Sequence, residues 1–232
     1  LVSRENKSKF QVLARTDSLT GIYNRYGFDE SAEKMMDKNP KAHFVAALLD
    51  IDDFKFINDI YGHAYGDKAL KSLADSMKTF FPSDALLGRN GGDEFCILLQ
   101  NYTCEDAKEL LQQFTRLPRT FSYKGNEQPF NISLGYAEYP TFAASRSQLM
   151  RCADAALYAI KLQGKNGCMA YREGLQSGIR KQLGFAFKDV SEHLPCAFII
   201  CRADKDDDDL FYASHEFLHM AGYKDMDELF RL

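Results

Sequence analysis

Apolar positions along the chain fall into two kinds of pattern, unbroken runs and runs that recur every three or four residues. In HFVAALLDI (43–51) no polar residue interrupts the run until Asp50, the pattern of a strand buried on both faces, and acids follow at Asp52 and Asp53. From 67 the period changes: Ala69, Leu70, Leu73, Ala74, Met77, Phe80 and Phe81 predict an amphipathic helix with Asp67 as its N-cap. LLGRNGGDEFCILL (86–99) places Gly91-Gly92, Asp93 and Glu94 between two apolar runs. This predicts a β-hairpin whose glycines supply the positive φ of a tight turn. A helix is expected around 104–116, a strand in FNISLGYAEY (130–139), and a helix over about 147–163 carrying Leu149, Ala153, Ala156, Leu157 and Ile160. Alternating helix and strand of this kind implies an α/β sandwich.

Residues 1–16 read as a helix entering from something upstream, with Phe10, Val12 and Leu13 near its end, as in a chain that begins within a longer protein. After GKNGCMAYREG the character shifts: 175–190 reads as a linking helix, and the last forty residues as a strand pair with a polar turn and then short helices. Forty residues are too few for an independent core.

The 232 residues suit one full domain and a fragment, and 45% hydrophobic content is ample for a packed core. A net charge of −4 argues against a nucleic-acid surface, although bound metal and local lysines can still hold an anionic substrate. Six cysteines without a C-x-x-C pair, several in apolar runs, suit reduced thiols in the cytosol. No apolar run approaches ~18 residues and no signal-peptide pattern opens the chain, so membrane contact is not expected.

Asp50 stands where a buried strand emerges, and Asp93 and Glu94 stand at a hairpin tip. Taken alone, the acids of the tip serve as solvated turn residues or as ligands. If the two strands are neighbours, three carboxylates converge, and hard oxygen ligands at strand ends suit Mg²⁺ and substrate phosphates.

Five segments in order carry a resemblance: DSLTGIYNRYGF (17–28), LDIDDFKFINDIYGHAYGD (49–67), RNGGDEF (89–95), SLGYA (133–137) and ADAALYAIKLQGKN (153–166). Together they resemble the GGDEF family of diguanylate cyclases. The resemblance implies an α+β fold like the polymerase palm and nucleotidyl cyclases, with a central, mostly antiparallel sheet backed by helices. It implies condensation of two GTP into cyclic di-GMP and two pyrophosphates in bacterial signalling, with two Mg²⁺ per active site, or Mn²⁺ in their place. By the same resemblance Asp50, Asp93 and the Ile51 carbonyl are metal ligands, Asp93 also deprotonates the attacking 3′-hydroxyl, and Glu94 is the neighbouring acid. Asn58 and Asp67 match residues that bond the guanine edge, with His63 beside them. Lys161 and Lys165 match those that meet the outer phosphates, and the backbone of Asp53, Phe54 and Lys55 cradles the rest. One motif per chain implies one GTP site and therefore a homodimer for catalysis. The other reading is a catalytically silent nucleotide-binding module that regulates a partner.

Three departures stand out. Pro82-Ser83-Asp84-Ala85 occupies the place of the family's inhibitory R-x-x-D, Lys165 replaces the usual arginine of G-R-N, and Asn90 stands where tyrosine is common. In the tail, HEFLH (215–219) fits a zinc pattern with His215, Glu216 and His219, but the segment is short and lacks an obvious third ligand. The acids at 204, 206 and 208 suggest a calcium loop that fails at its glycine position, Asp209, and at its twelfth, His215. The tail instead resembles the first half of a PAS sensory domain. The expected organisation is a linker helix (1–16), the GGDEF domain (17–173), a second linker helix (174–192) and a truncated PAS-like segment (193–232).

Overall fold

The computed structural model describes residues 14–175, 197, 199–201 and 210–223. The chain separates into two units, 1–173 and 174–232. The expected helix at 175–190 and most of that at 1–16 lie outside the described residues.

In the first unit a six-stranded sheet runs in the order β1-β3-β4-β2-β7-β8: β1 (Tyr23–Asn24), β2 (Phe44–Ile51), β3 (Leu86–Gly91), β4 (Glu94–Gln100), β7 (Ile132–Tyr139) and β8 (Gly167–Ala170). The three central pairings are antiparallel and the two edge pairings parallel. β5 (Thr120–Tyr123) and β6 (Asn126–Pro129) form a separate hairpin. The helices are α1 (Arg25–Lys38), α2 (Phe54–Tyr61), α3 (His63–Phe80), α4 (Cys104–Arg116) and α5 (Arg146–Leu162).

β2 has a helical layer on each side, which accounts for its unbroken apolar run. Val45, Ala47, Leu49 and Ile51 join the core of α3 and α4, through Leu73, Met77, Leu111 and Phe114. Phe44 and Ala46 face the other way, into a core with Phe28 of α1 and Leu149 and Ala153 of α5. Each such leucine or phenylalanine, fully buried, contributes about 1.5–3 kcal/mol. α5 lies against β7 at Gly135, where a Cβ would sit 1.9 Å from the Leu157 backbone nitrogen, so that only glycine allows the helix this close. Strand parity carries the consequence onward. Asp50 shares its parity with Phe44 and Ala46, and so it emerges on the α5 side.

One expectation needs correction. Asp67 is not an N-cap: α3 begins at His63, capped by Gly62 at φ 90°, and Asp67 lies exposed within its first turns. Gly62 closes α2 and opens α3, because its positive φ lets the chain turn between two helices with no intervening loop.

In the second unit β9 (Ile199–Cys201) pairs antiparallel with β10 (Leu210–Ala213), and α6 (His215–Ala221) follows, its Phe217 N–H held by the Ser214 hydroxyl at 3.2 Å.

Candidate active site

The β3–β4 hairpin turns in two residues, Gly92 and Asp93, with Gly91 paired to Glu94 and a bulge at Asn90. Gly91 (φ 147°) and Gly92 (φ 52°) take conformations that side chains resist. Arg89 locks this tip. Its Nε and Nη2 donate to the Gly92 carbonyl at 2.9 and 2.6 Å, and its Nη1 donates to both Asp17 oxygens at 3.1 Å. Thr20 donates to Asp17 through its N–H (2.9 Å) and its hydroxyl (2.6 Å). Burial works to raise the Asp17 pKa, but the Thr20 and Arg89 contacts prevail and hold it below the ordinary value.

The expected neighbourhood of β2 and β4 is present, with Asp50 directly across from Glu94 and, on the other side, from Ser133. Asp50 is 8% exposed, and Lys161 of α5 donates to it at 2.6 Å. Burial nonetheless pushes the Asp50 pKa up to about 6. The Lys161 bond opposes this rise, and the charge of Asp93 adds to it. Asp93 is half-buried, and desolvation raises its pKa too, against its own backbone bond and the charges of Lys161 and Arg89. Two desolvated carboxylates that repel each other form a set that a hard divalent cation relieves. Among the described residues no three His, Cys, Asp or Glu side chains close into a metal cage.

Past β2 the chain turns sharply. Asp53 takes a left-handed conformation (φ 56°) and starts α2, and Lys165 donates to its side chain at 2.6 Å. That bond raises the Lys165 pKa. Asp52 between them accepts from the Ser133 hydroxyl (2.6 Å) and the Asn166 N–H (2.8 Å), while its own N–H donates to the Asn131 carbonyl (2.9 Å). The turn after α5 is thereby fastened to the turn after β2, so that Lys161 reaches Asp50 and Lys165 reaches Asp53. Phe54 is half-buried, and Lys55 is exposed.

Asn58, His63 and Asp67 gather at the α2–α3 junction. The Asn58 side chain fits against Gly66, where a Cβ would lie 2.1 Å from its Oδ1. His63 and Asp67 are exposed. The junction is braced by the β5–β6 hairpin. Tyr61 stacks edge-on against Phe121 (5.3 Å) and Tyr123 (4.9 Å) and donates to Gln128 Oε1 at 3.1 Å, and Tyr65 meets Tyr123 at 4.7 Å.

Sequence reasoning missed Arg89, Asp17, Asp52 and Ser133 as positioning residues. All four lie inside the quoted motifs, and that placement was the one available signal, since their partners are up to 114 residues away.

The family model described as "Diguanylate cyclase, GGDEF domain" matches residues 14–167. The bifunctional diguanylate cyclase/cyclic di-GMP phosphodiesterase MucR of Pseudomonas aeruginosa is 31% identical over 185 residues, covering 78% of this chain and 27% of MucR. The probable diguanylate cyclase DgcC of Escherichia coli is 31% identical over 165 residues, 70% of this chain and 44% of DgcC. The chain thus spans less than half the length of either relative. Among solved structures, the coiled coil and GGDEF domain of DgcB from Caulobacter crescentus, in complex with c-di-GMP, superposes with a TM-score of 0.66 at 28% identity. The match covers 72% of this chain and 91% of that one. With the family match spanning most of the first unit and the same fold recurring in these domains, the chain belongs to the GGDEF diguanylate cyclase family.

Proposed function

We propose that the chain is an active diguanylate cyclase half-site that joins two GTP into cyclic di-GMP and two pyrophosphates. The observation that carries this reading is the packing of Asp50 and Asp93, both desolvated, beside Lys161 at the meeting of β2, the β3–β4 tip and α5. Asp93 accepts the proton of the attacking 3′-hydroxyl, a role suited to a carboxylate whose pKa burial has raised toward working pH. Glu94 adds negative charge next to it. Lys161 and Lys165 meet the charge that develops on the phosphoryl and the departing pyrophosphate. The backbone of Asp53, Phe54 and Lys55 at the start of α2 borders the phosphates, and Asn58 and Asp67, with His63 beside them, take the guanine edge. Asp50, Asp93 and the Ile51 carbonyl would hold Mg²⁺, or Mn²⁺, which supplies electrostatic stabilisation of the transferring phosphoryl when bound.

Each chain holds one such constellation, and ring closure needs the 3′-oxygen of each GTP to face the α-phosphorus of the other, so the working unit is a homodimer. No helix among the described residues is long and apolar enough to cross a membrane. We place the activity in the cytoplasm, where GTP is found.

Incubation of the purified chain with GTP and Mg²⁺, with mass-spectrometric identification of the products, tests this. Cyclic di-GMP and pyrophosphate are expected. Tight GTP binding without turnover, at every protein concentration, would instead establish a silent nucleotide-binding module.

A further inference from the structure

The C-terminal end of α4, the base of the β5–β6 hairpin and the start of β8 surround an open cavity of about 580 Å³, within the ~300–1,000 Å³ that small-molecule sites span. Its wall carries Arg116, Arg119, Asn131 and Asn166, with Leu117 and Phe130 as apolar surface, and no Asp or Glu lines it.

Arg119 is the unusual member. It is a cation only 3% exposed, and the hydrogen-bond partners of its head are carbonyls: Phe114 at 2.5 Å, Leu117 at 2.9 Å and Thr115 at 3.3 Å. Its buried Nε has no partner. Burial brings its pKa down to about 10, the mark of a charge set in a desolvated place. The Nη groups answer the negative end of α4, which would otherwise repel an anion. This leaves Arg116, exposed at the mouth, and the amides of Asn131 and Asn166 to face a ligand. Together they offer more donors than the two oxygens of a carboxylate use, and a phosphate monoester with its three terminal oxygens matches them better.

We propose that this cavity is a second binding site, for a small organic phosphate, separate from the carboxylate cluster. Its wall is the reverse side of the active-site loop. Asn131 and Asn166, which line it, also hold Asp52, the Asn131 carbonyl accepting from the Asp52 N–H at 2.9 Å and the Asn166 N–H donating to the Asp52 carboxylate at 2.8 Å. A ligand there stiffens the turn that carries Lys165, and does so without occupying the place of GTP.

The test is a titration of the isotope-labelled chain, followed by amide NMR, with inorganic phosphate and with cytidine 5′-monophosphate, whose base does not match a guanine-reading pair. Saturating shifts are expected at Thr120, Asn131 and Gly167 with both probes, tighter for the nucleotide because Leu117 and Phe130 cover its organic part. Arg116→Gln should weaken both about tenfold while its melting temperature and remaining spectrum match the parent. Shifts confined to Asn58, Lys161 and Lys165, no shift up to ~10 mM, or affinity unchanged in Arg116→Gln would each overturn the proposal. The readout is binding, so the outcome is independent of whether the chain turns over GTP.

Discussion

Replacing Gly66 with alanine sets a methyl carbon 2.1 Å from Asn58 Oδ1, 3.1 Å from its Cγ and 3.2 Å from Phe54 Cζ. Nonbonded carbon and oxygen settle near ~3.5 Å, so the Asn58 amide must retreat by more than an ångström or so. The obstructing atom is the tip of a side chain and not backbone, hence the fold can absorb the change. Alanine inside a helix also returns about 1 kcal/mol relative to glycine. The loss therefore falls on recognition. An amide displaced from a guanine edge leaves a polar pair unmade, worth about 1–3 kcal/mol or roughly 5- to 150-fold. Steady-state assays on Gly66→Ala should show kcat/KM for GTP reduced by that factor, with a melting temperature within a few degrees of the parent. The double variant Gly66→Ala/Asn58→Ala should be no worse than Asn58→Ala alone, since both act through one group. Unchanged kcat/KM in folded Gly66→Ala would refute the role given to Asn58, and additive losses would refute the route through its side chain.

Asp93→Asn, nearly isosteric at a half-buried tip, should abolish cyclic di-GMP formation while leaving the circular dichroism spectrum intact, and near-normal turnover would remove Asp93 from the mechanism. Asp17 has its pKa depressed in the folded chain, so the stability it lends is present above its ordinary, unfolded value and is lost as pH falls through the folded one. Asp17→Asn should accordingly lower stability at pH 7 by roughly 1–2 kcal/mol and flatten the acid limb of melting temperature against pH, whereas an unaltered limb would mean that Arg89 is held otherwise. Cyclic di-GMP should inhibit weakly, because Pro82 and Ala85 form a turn (Ala85 N–H to Pro82 carbonyl, 3.0 Å) where an arginine and an aspartate would grip the product. Calorimetry showing tight binding that survives Asp50→Ala/Asp93→Ala would contradict this. Specific activity should rise with enzyme concentration across the dimerisation range, and a flat response from a sedimenting monomer would exclude paired half-sites.

The elements legible in the sequence are those whose burial follows a simple period. β2 and β4 are covered on both faces and read as unbroken runs, and α4 and α5 bury one stripe each. α2 was not legible as a helix, because it is only eight residues long and leaves Phe56 and Ile60 61% and 56% exposed, so its apolar residues do not mark its buried side. The β5–β6 hairpin hides for a different reason. Its strands are four residues each and largely polar, and the aromatic stack with Tyr61 and Tyr65 that holds them is a tertiary contact. At the candidate site the acids and lysines were legible as positions within motifs. The clamp of Arg89 between Asp17 and Gly92, and that of Asp52 between Ser133 and Asn166, join segments distant in the chain and leave no periodic trace.

The standing of that hairpin outside the six-stranded sheet has a practical use. Its tip turns on Lys124 (φ 49°) and Gly125 (φ 82°), a mirror-image two-residue turn that ends the pairing of Tyr123 with Asn126. Extra chain spliced between these two residues lengthens a loop whose closure cost grows only slowly with length, and it breaks no ladder of the main sheet. The neighbouring Tyr123 ring rests on Tyr61 and Tyr65 at the junction that presents Asn58 and Asp67. A circularly permuted fluorescent protein inserted at this tip would therefore be coupled by direct contact to the helices proposed here to take guanine, which makes the hairpin a natural port for a genetically encoded sensor of nucleotide occupancy.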